Sequence, residues 1–179
     1  MAESWTASSQ PVRYNRQHRT YSTSGPRCPQ SRGCRCHRKC WKRCVRTNAS
    51  VLYLDSSALV KLVIEEAESA SLQRYLRDWP RRATSSLARL EVVRAVSIHG
   101  TAVVARARQL LAGLHLLQIS NAILDEAADL APGPLRRLDA IHLASARHLR
   151  ADLGRMVTYD LRLASAAEGI GMAVESPGA

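Results

Sequence analysis

The sequence contains no run of 18 apolar residues, so no segment is long and apolar enough for a transmembrane helix. It has no cysteine after Cys44. No apolar h-region opens the chain, so neither secretion nor a disulfide-stapled extracellular domain is indicated. Acid is nearly absent from the first fifty residues, where Glu3 stands alone against 11 Lys and Arg, a balance of +10. The remaining 129 residues carry 15 Lys and Arg against 14 Asp and Glu, a balance of +1. The net charge of +11 therefore describes the first segment, not the rest of the surface. What is abundant is apolar: 46% of the 179 residues are hydrophobic, enough to bury a core and to exclude wholesale disorder. The length suits one domain with an appendage.

Residues 1–50 admit three readings. Cys34, Cys36, Cys40 and Cys44 with His37 offer zinc donors, with Cys28 as the odd fifth cysteine, but the paired CxxC knuckles of a finger are missing. The basic residues between them would suit phosphate contacts. The blander reading is a disordered tail, since the segment has no apolar period and many Ser, Thr, Arg and Pro. The third is a misplaced start: the hydrophobic pattern begins abruptly at Val51, and valine codons serve as alternative bacterial starts. The expected organisation is a tail or misplaced start over 1–50 and one domain over 51–179.

Within 51–179 strands and helices alternate. Val51–Leu54 reads as a buried strand, followed by a helix to about Glu65 and another over Ala67–Asp78, which Trp79-Pro80 ends. A short strand at Arg82–Ser85 precedes helices over Ser86–His99 and Thr101–Ala112, each closed by glycine. Leu114–Ile119 reads as a strand, Ser120 or Asn121 as a helix cap, and Pro132-Gly133-Pro134 as a loop. A helix over Leu138–Arg150, a strand over Arg155–Tyr159, a helix over Leu161–Glu168 and a strand over Met172–Val174 complete the pattern. This is an α/β domain around a small parallel sheet flanked by helices. Such sheets bind ligands beyond the carboxyl ends of their strands, which directs attention to Asp55 and Asp160.

Each acid has an ordinary explanation. Asp55 and Asp160 stand where N-caps stand, and Asp139 lies in the first turn of its helix, where acids suit the dipole. Glu91 is harder to dismiss, because Leu87, Ala88 and Ala95 surround it at helical spacing and it interrupts an apolar stripe. Arg94 is its ordinary partner, and a polar cleft is the better explanation. Were the four carboxylates to converge, each pair at 4 Å would repel by roughly 4 kcal/mol at an effective dielectric of 20. A divalent cation would relieve that cost. Hard oxygen donors favour magnesium or manganese over zinc.

Four segments carry a family resemblance: Val51-Leu-Tyr-Leu-Asp-Ser-Ser-Ala-Leu-Val-Lys-Leu, Thr84-Ser-Ser-Leu-Ala-Arg-Leu-Glu-Val-Val-Arg-Ala, Leu138-Asp-Ala-Ile-His-Leu-Ala-Ser-Ala and Thr158-Tyr-Asp-Leu-Arg-Leu-Ala-Ser-Ala-Ala. In this order they resemble the PIN domain, and most closely the VapC toxins of bacterial VapBC toxin–antitoxin pairs. The resemblance implies a PIN-like fold and a metal-dependent endoribonuclease that hydrolyses RNA phosphodiesters with a metal-activated water. By position, Asp55, Glu91, Asp139 and Asp160 fall on the family's acidic quartet for Mg2+ or Mn2+. Asp55 and Asp139 are expected as direct ligands, Glu91 as ligand or water-orienting base, and Asp160 further out or on a second metal. Ser57 and Thr158 fall at polar positions beside the site. A VapB antitoxin, a homodimer or toxin–antitoxin hetero-oligomer, and a bacterial cytoplasmic location are further implications.

His142, one turn after Asp139, is expected to pack or hydrogen-bond nearby rather than act as a general acid. Arg89, Arg94 and Arg162 are either phosphate contacts or solvated charges. A haloacid-dehalogenase-like phosphatase would need an acid two residues after Asp55, where Ser57 stands. The rival from another class is a non-catalytic nucleic-acid binder acting through the basic tail.

Overall fold

Val51, Leu52, Tyr53 and Leu54 are buried on both faces, as a central parallel strand requires. They form β1 (Val51–Leu54) in a computed structural model that describes residues 50–130 and 135–179. The chain continues through α1 (Ser56–Val63), α2 (Ser69–Leu76), β2 (Arg82–Ser85), α3 (Ala88–Val96), α4 (Thr101–Ala112) and β3 (His115–Leu117). It then runs through α5 (Asn121–Asp129), α6 (Arg137–His148), β4 (Leu153–Val157), α7 (Leu161–Gly169) and β5 (Val174–Glu175). The five strands form one sheet in the order β3-β2-β1-β4-β5, and every pairing is parallel.

Side chains along β1 point alternately to opposite faces, and the core divides accordingly. Leu52 and Leu54 pack with Leu59, Leu72, Val92 and Leu111 beneath α1 to α4. Tyr53 packs with Leu143, Met156 and Leu163 beneath α6 and α7. Each fully buried leucine contributes roughly 1.5–3 kcal/mol. From β1 the chain builds β2 and β3 on one side, then crosses to lay β4 and β5 on the other. The carboxyl ends of β1 and β4 therefore flank a topological switch point, where strand connections diverge and leave a crevice.

The expected parallel α/β fold is the one observed, with shifts at element ends. The helix expected over Ser86–His99 is α-helical only over Ala88–Val96 and tightens to a 3-10 turn at Ser97–His99 before Gly100, whose φ is +95°. Helix α2 is shorter than expected, and the Arg82 guanidinium donates to the carbonyls of Leu76 and Trp79 beyond its end. Strand β4 starts at Leu153 and stops at Val157 rather than spanning Arg155–Tyr159, and β5 is Val174–Glu175 rather than Met172–Val174. Thr158 and Tyr159 leave the strand because their polar groups turn to Asp55, Ser57 and Asp160. Gly154 lets β4 pass under the Trp79 indole: a Cβ there would lie 2.6 Å from Trp79 Cζ3. The Pro132-Gly133-Pro134 loop and the readings placed on residues 1–49, including the cysteine cluster, lie outside the described residues.

Candidate active site

Asp55 follows β1 directly and is 5% exposed. Its backbone N–H donates to Val157 O at 3.0 Å, which locks it to the end of β4. It caps α1 as expected, and the cap is only part of its bonding. Oδ2 accepts from Ser57 N at 3.2 Å, Ser57 Oγ at 2.7 Å and Thr158 Oγ1 at 3.0 Å. Ser57 and Thr158 thus hold Asp55 directly. Each also ties the β4–α7 corner, since Tyr159 N donates to Ser57 Oγ and Asp160 N to Thr158 Oγ1. Asp55 Oδ1 accepts no hydrogen bond among the described residues and lies 3.6 Å from His142 Nε2.

Glu91 sits at the edge of the buried stripe of α3, beside Ala88 and Val92, while Ala95 is exposed. Its partner is not Arg94, which is exposed. Oε2 accepts from Ser56 Oγ at 2.5 Å and pairs with His142 Nε2 at 2.7 Å, leaving Oε1 without a partner among the described residues. Burial raises the Glu91 pKa, but the bonds from His142 and Ser56 outweigh it and hold the group below the usual glutamate value. His142 is 1% exposed. Burial opposes its imidazolium, yet the Glu91 bond and the charges of Asp55, Glu91 and Asp139 prevail and raise its pKa.

Asp139 lies in the first turn of α6, where Oδ2 accepts from Arg136 N at 3.4 Å. Burial first, then the charge of Asp160 and that of Asp55, raise its pKa against the opposing bond from Arg136. It therefore feels the carboxylates on both sides of the switch point. Asp160 caps α7, its Oδ1 accepting from Arg162 N at 2.8 Å and Leu163 N at 3.2 Å. Burial raises its pKa, but these bonds and the Arg162 charge outweigh that and lower it. Arg162 Nη2 stands 3.6 Å from Oδ2. Arg89 is exposed and, like Arg94, makes no ion pair with the four acids.

The four acids share one pattern. In each, the hydrogen bonds fall on one oxygen; the other faces a basic partner at 3.6 Å in Asp55 (His142) and Asp160 (Arg162), and has no partner among the described residues in Glu91 and Asp139. Carboxylate oxygens without a hydrogen bond are the donors a hard cation takes, and Asp139 feels the charges of Asp55 and Asp160. Among the described residues, no group of three or more His, Cys, Asp or Glu side chains stands in a metal-holding arrangement. A hydrated magnesium ion does not need one, because it keeps several waters and uses one or two carboxylates. The donor set therefore fits such an ion.

Sequence reasoning missed Tyr53 and Ser56. The available signals were a lone hydroxyl-bearing aromatic in an otherwise aliphatic strand and a serine doublet after Asp55.

A parallel sheet with acidic side chains at its switch point places this chain among the α/β domains that bind ligands at that edge. The chain belongs to the PIN-domain family, whose model matches residues 52–169. It is 50% identical over 128 residues to Ribonuclease VapC46 of Mycobacterium tuberculosis, covering 72% of this chain and 98% of that protein. It is 40% identical over 134 residues to Ribonuclease VapC47 of the same species, with the same coverage. The fold is similar to that of a toxin–antitoxin complex from Klebsiella pneumoniae, with a TM-score of 0.57 and 25% identity over 72% of this chain and 98% of that one. It is also similar to Mycobacterium tuberculosis VapC20, described as a sarcin-ricin loop cleaving toxin. That match has a TM-score of 0.57 and 15% identity, covering 70% of this chain and 99% of the other. Among the described residues no helix is long and apolar enough to cross a membrane.

Proposed function

We propose that this protein is a VapC-type endoribonuclease toxin that hydrolyses RNA phosphodiester bonds at the Asp55, Glu91, Asp139 and Asp160 cleft with Mg2+ or Mn2+. The observation that carries the reading is the oxygen left without a hydrogen bond, among the described residues, on Asp55, Glu91 and Asp139, beside the charges of Asp55 and Asp160 that Asp139 feels. Kinship to proteins named VapC ribonucleases supports the same substrate class. Asp55 and Asp139 would hold the ion, through Asp55 Oδ1 and the free oxygen of Asp139. When bound, a divalent ion neutralises the scissile phosphate and lowers the pKa of a coordinated water.

The chain's own groups supply the rest. Glu91 Oε1 faces no donor among the described residues, which suits it to orient the attacking water or accept its proton. Asp160 completes the negative field on the β4 side and acts on a second ion or through water. Ser57 and Thr158 keep Asp55 from turning its free oxygen away. A VapB-type antitoxin is the proposed partner, supported by likeness to a chain from a toxin–antitoxin complex, and the proposed setting is the bacterial cytoplasm. A homodimer or a hetero-oligomer with that antitoxin is the proposed assembly. No observation favours the rival reading of a tail-driven binder, since the family match lies within residues 52–169.

The test incubates the purified full chain with total bacterial RNA in Mg2+ or Mn2+, with and without EDTA. Discrete fragments that EDTA prevents are expected. Fragments that persist in EDTA would reject the metal role, and intact RNA under every condition would reject the nuclease.

A further inference from the structure

A buried chain of polar groups runs behind the acidic cleft, and the chemistry above gives it no role. Ser85 N donates to the Tyr53 hydroxyl at 3.2 Å. That hydroxyl lies 2.8 Å from His142 Nδ1, and His142 Nε2 lies 2.7 Å from Glu91 Oε2. Tyr53 is 0% exposed and His142 1%, so no solvent competes for these bonds. Because the Tyr53 oxygen already accepts from Ser85, its own proton is free to go to Nδ1. In its neutral form the ring then carries its proton on Nε2 and donates to Glu91. In this one direction every donor in the chain finds an acceptor.

We propose that Tyr53 and His142 are positioning residues that fix the Glu91 carboxylate through Oε2 and so aim Oε1 into the cleft. This rests on the reading of the cleft as a metal-dependent nuclease and extends it. Four facts support it. Glu91 stands at the edge of the buried stripe of α3 with its side chain 22% exposed, so without a fixed donor its long side chain would sample several rotamers. Both of its hydrogen bonds, from Ser56 and His142, fall on the same oxygen. Tyr53 stands two residues before Asp55 on β1, so one rigid strand sets both Asp55 and the ring that holds Glu91. His142 also stands 3.6 Å from Asp55 Oδ1, between the two carboxylates that it keeps in register.

The test compares the full-length wild type with His142→Leu, His142→Gln and Tyr53→Phe. Mn2+ binding is measured by calorimetry without RNA, and kcat and KM are measured separately on RNA. Loss of a group that orients a ligand costs on the order of 10–100-fold in metal affinity or rate. His142→Leu should weaken Mn2+ binding and lower kcat by that order, with KM for RNA moving less than about twofold. His142→Gln retains an N–H near the place of Nε2 and should recover most of both. Tyr53→Phe keeps the ring volume, frees the histidine to change tautomer, and should fall between. A folded His142→Leu with wild-type Mn2+ affinity and kcat would overturn the inference. So would a His142→Gln as impaired as His142→Leu, which would mark a packing role. If His142→Leu does not fold, wild-type behaviour of Tyr53→Phe overturns it alone. A wild type that neither binds Mn2+ nor cleaves RNA removes the nuclease reading and this inference together, whereas defects confined to the variants uphold both.

Discussion

The two sides of the cleft are built differently. On one side, Asp55 is held by three donors and Glu91 by two, all behind a buried histidine and tyrosine. On the other, Asp139 has a single long bond from Arg136, and Asp160 is held by the exposed start of α7. The first side is fixed by the core of the sheet before any ligand arrives. The second is held by backbone N–H groups near helix N-termini, with no buried side chain behind it among the described residues. Donors fixed in advance lower the reorganisation needed at reaction.

The largest expected effect breaks the comparison from both sides at once. Asp55→Asn and Asp139→Asn should each reduce RNA cleavage by on the order of 1,000-fold, as loss of a central electrostatic group does. Their stabilities should diverge. In EDTA, Asp55→Asn should lose about 1–3 kcal/mol, because hydroxyl and amide donors lose a charged acceptor. Asp139→Asn should unfold at an equal or higher temperature than wild type, since burial and its acidic neighbours disfavour its ionised form. Thermal unfolding of the metal-free proteins measures both.

Next in size is the strand that aims the fixed side. Leu54→Ala, at a fully buried position immediately before Asp55, should cost about 2–5 kcal/mol in urea unfolding. The donors themselves come third. Thr158→Ala should slow cleavage on the order of 10–100-fold by releasing Asp55. Arg162→Ala, on the second side, should change it by less than about threefold, because an exposed ion pair contributes little. Steady-state rates at saturating metal distinguish the two.

The smallest effect is a pH dependence of the metal-free protein. The raised pKa of His142 contributes stability below its unfolded value of about 6.5 that is lost as pH rises through the higher folded value. The lowered pKa of Glu91 contributes stability above its unfolded value of about 4.3 that is lost as pH falls through the lower folded value. The pair is therefore most stabilising between these limits. The difference in unfolding temperature between wild type and His142→Gln in EDTA should be greatest there and shrink as pH rises.

The same contrast explains what could be read from the sequence. Asp55 and Asp160 follow strands, and local order alone places residues after strands of a parallel sheet at its ligand-binding edge. The fold class was legible for the same reason, through strands and helices that alternate with the right period. Glu91 and Asp139 lie in helices, and their approach to the cleft depends on how α3 and α6 pack on the sheet. Glu91 stood out as an acid in an apolar stripe, but only resemblance to the family joined it and Asp139 to the other two. The Tyr53–His142–Glu91–Ser56 connections join positions 35 to 89 residues apart, beyond any local pattern. Strand ends were misjudged by up to two residues where, as at Thr158, backbone and side chain serve the site instead of the ladder.

The most direct measurement is cleavage of RNA by the full chain in Mg2+ beside Asp55→Asn, with circular dichroism confirming that both are folded. Metal-dependent cleavage by the wild type, lost in the folded variant, is the predicted result. Equal cleavage by the two proteins would contradict the account, because it would place the chemistry outside this cleft.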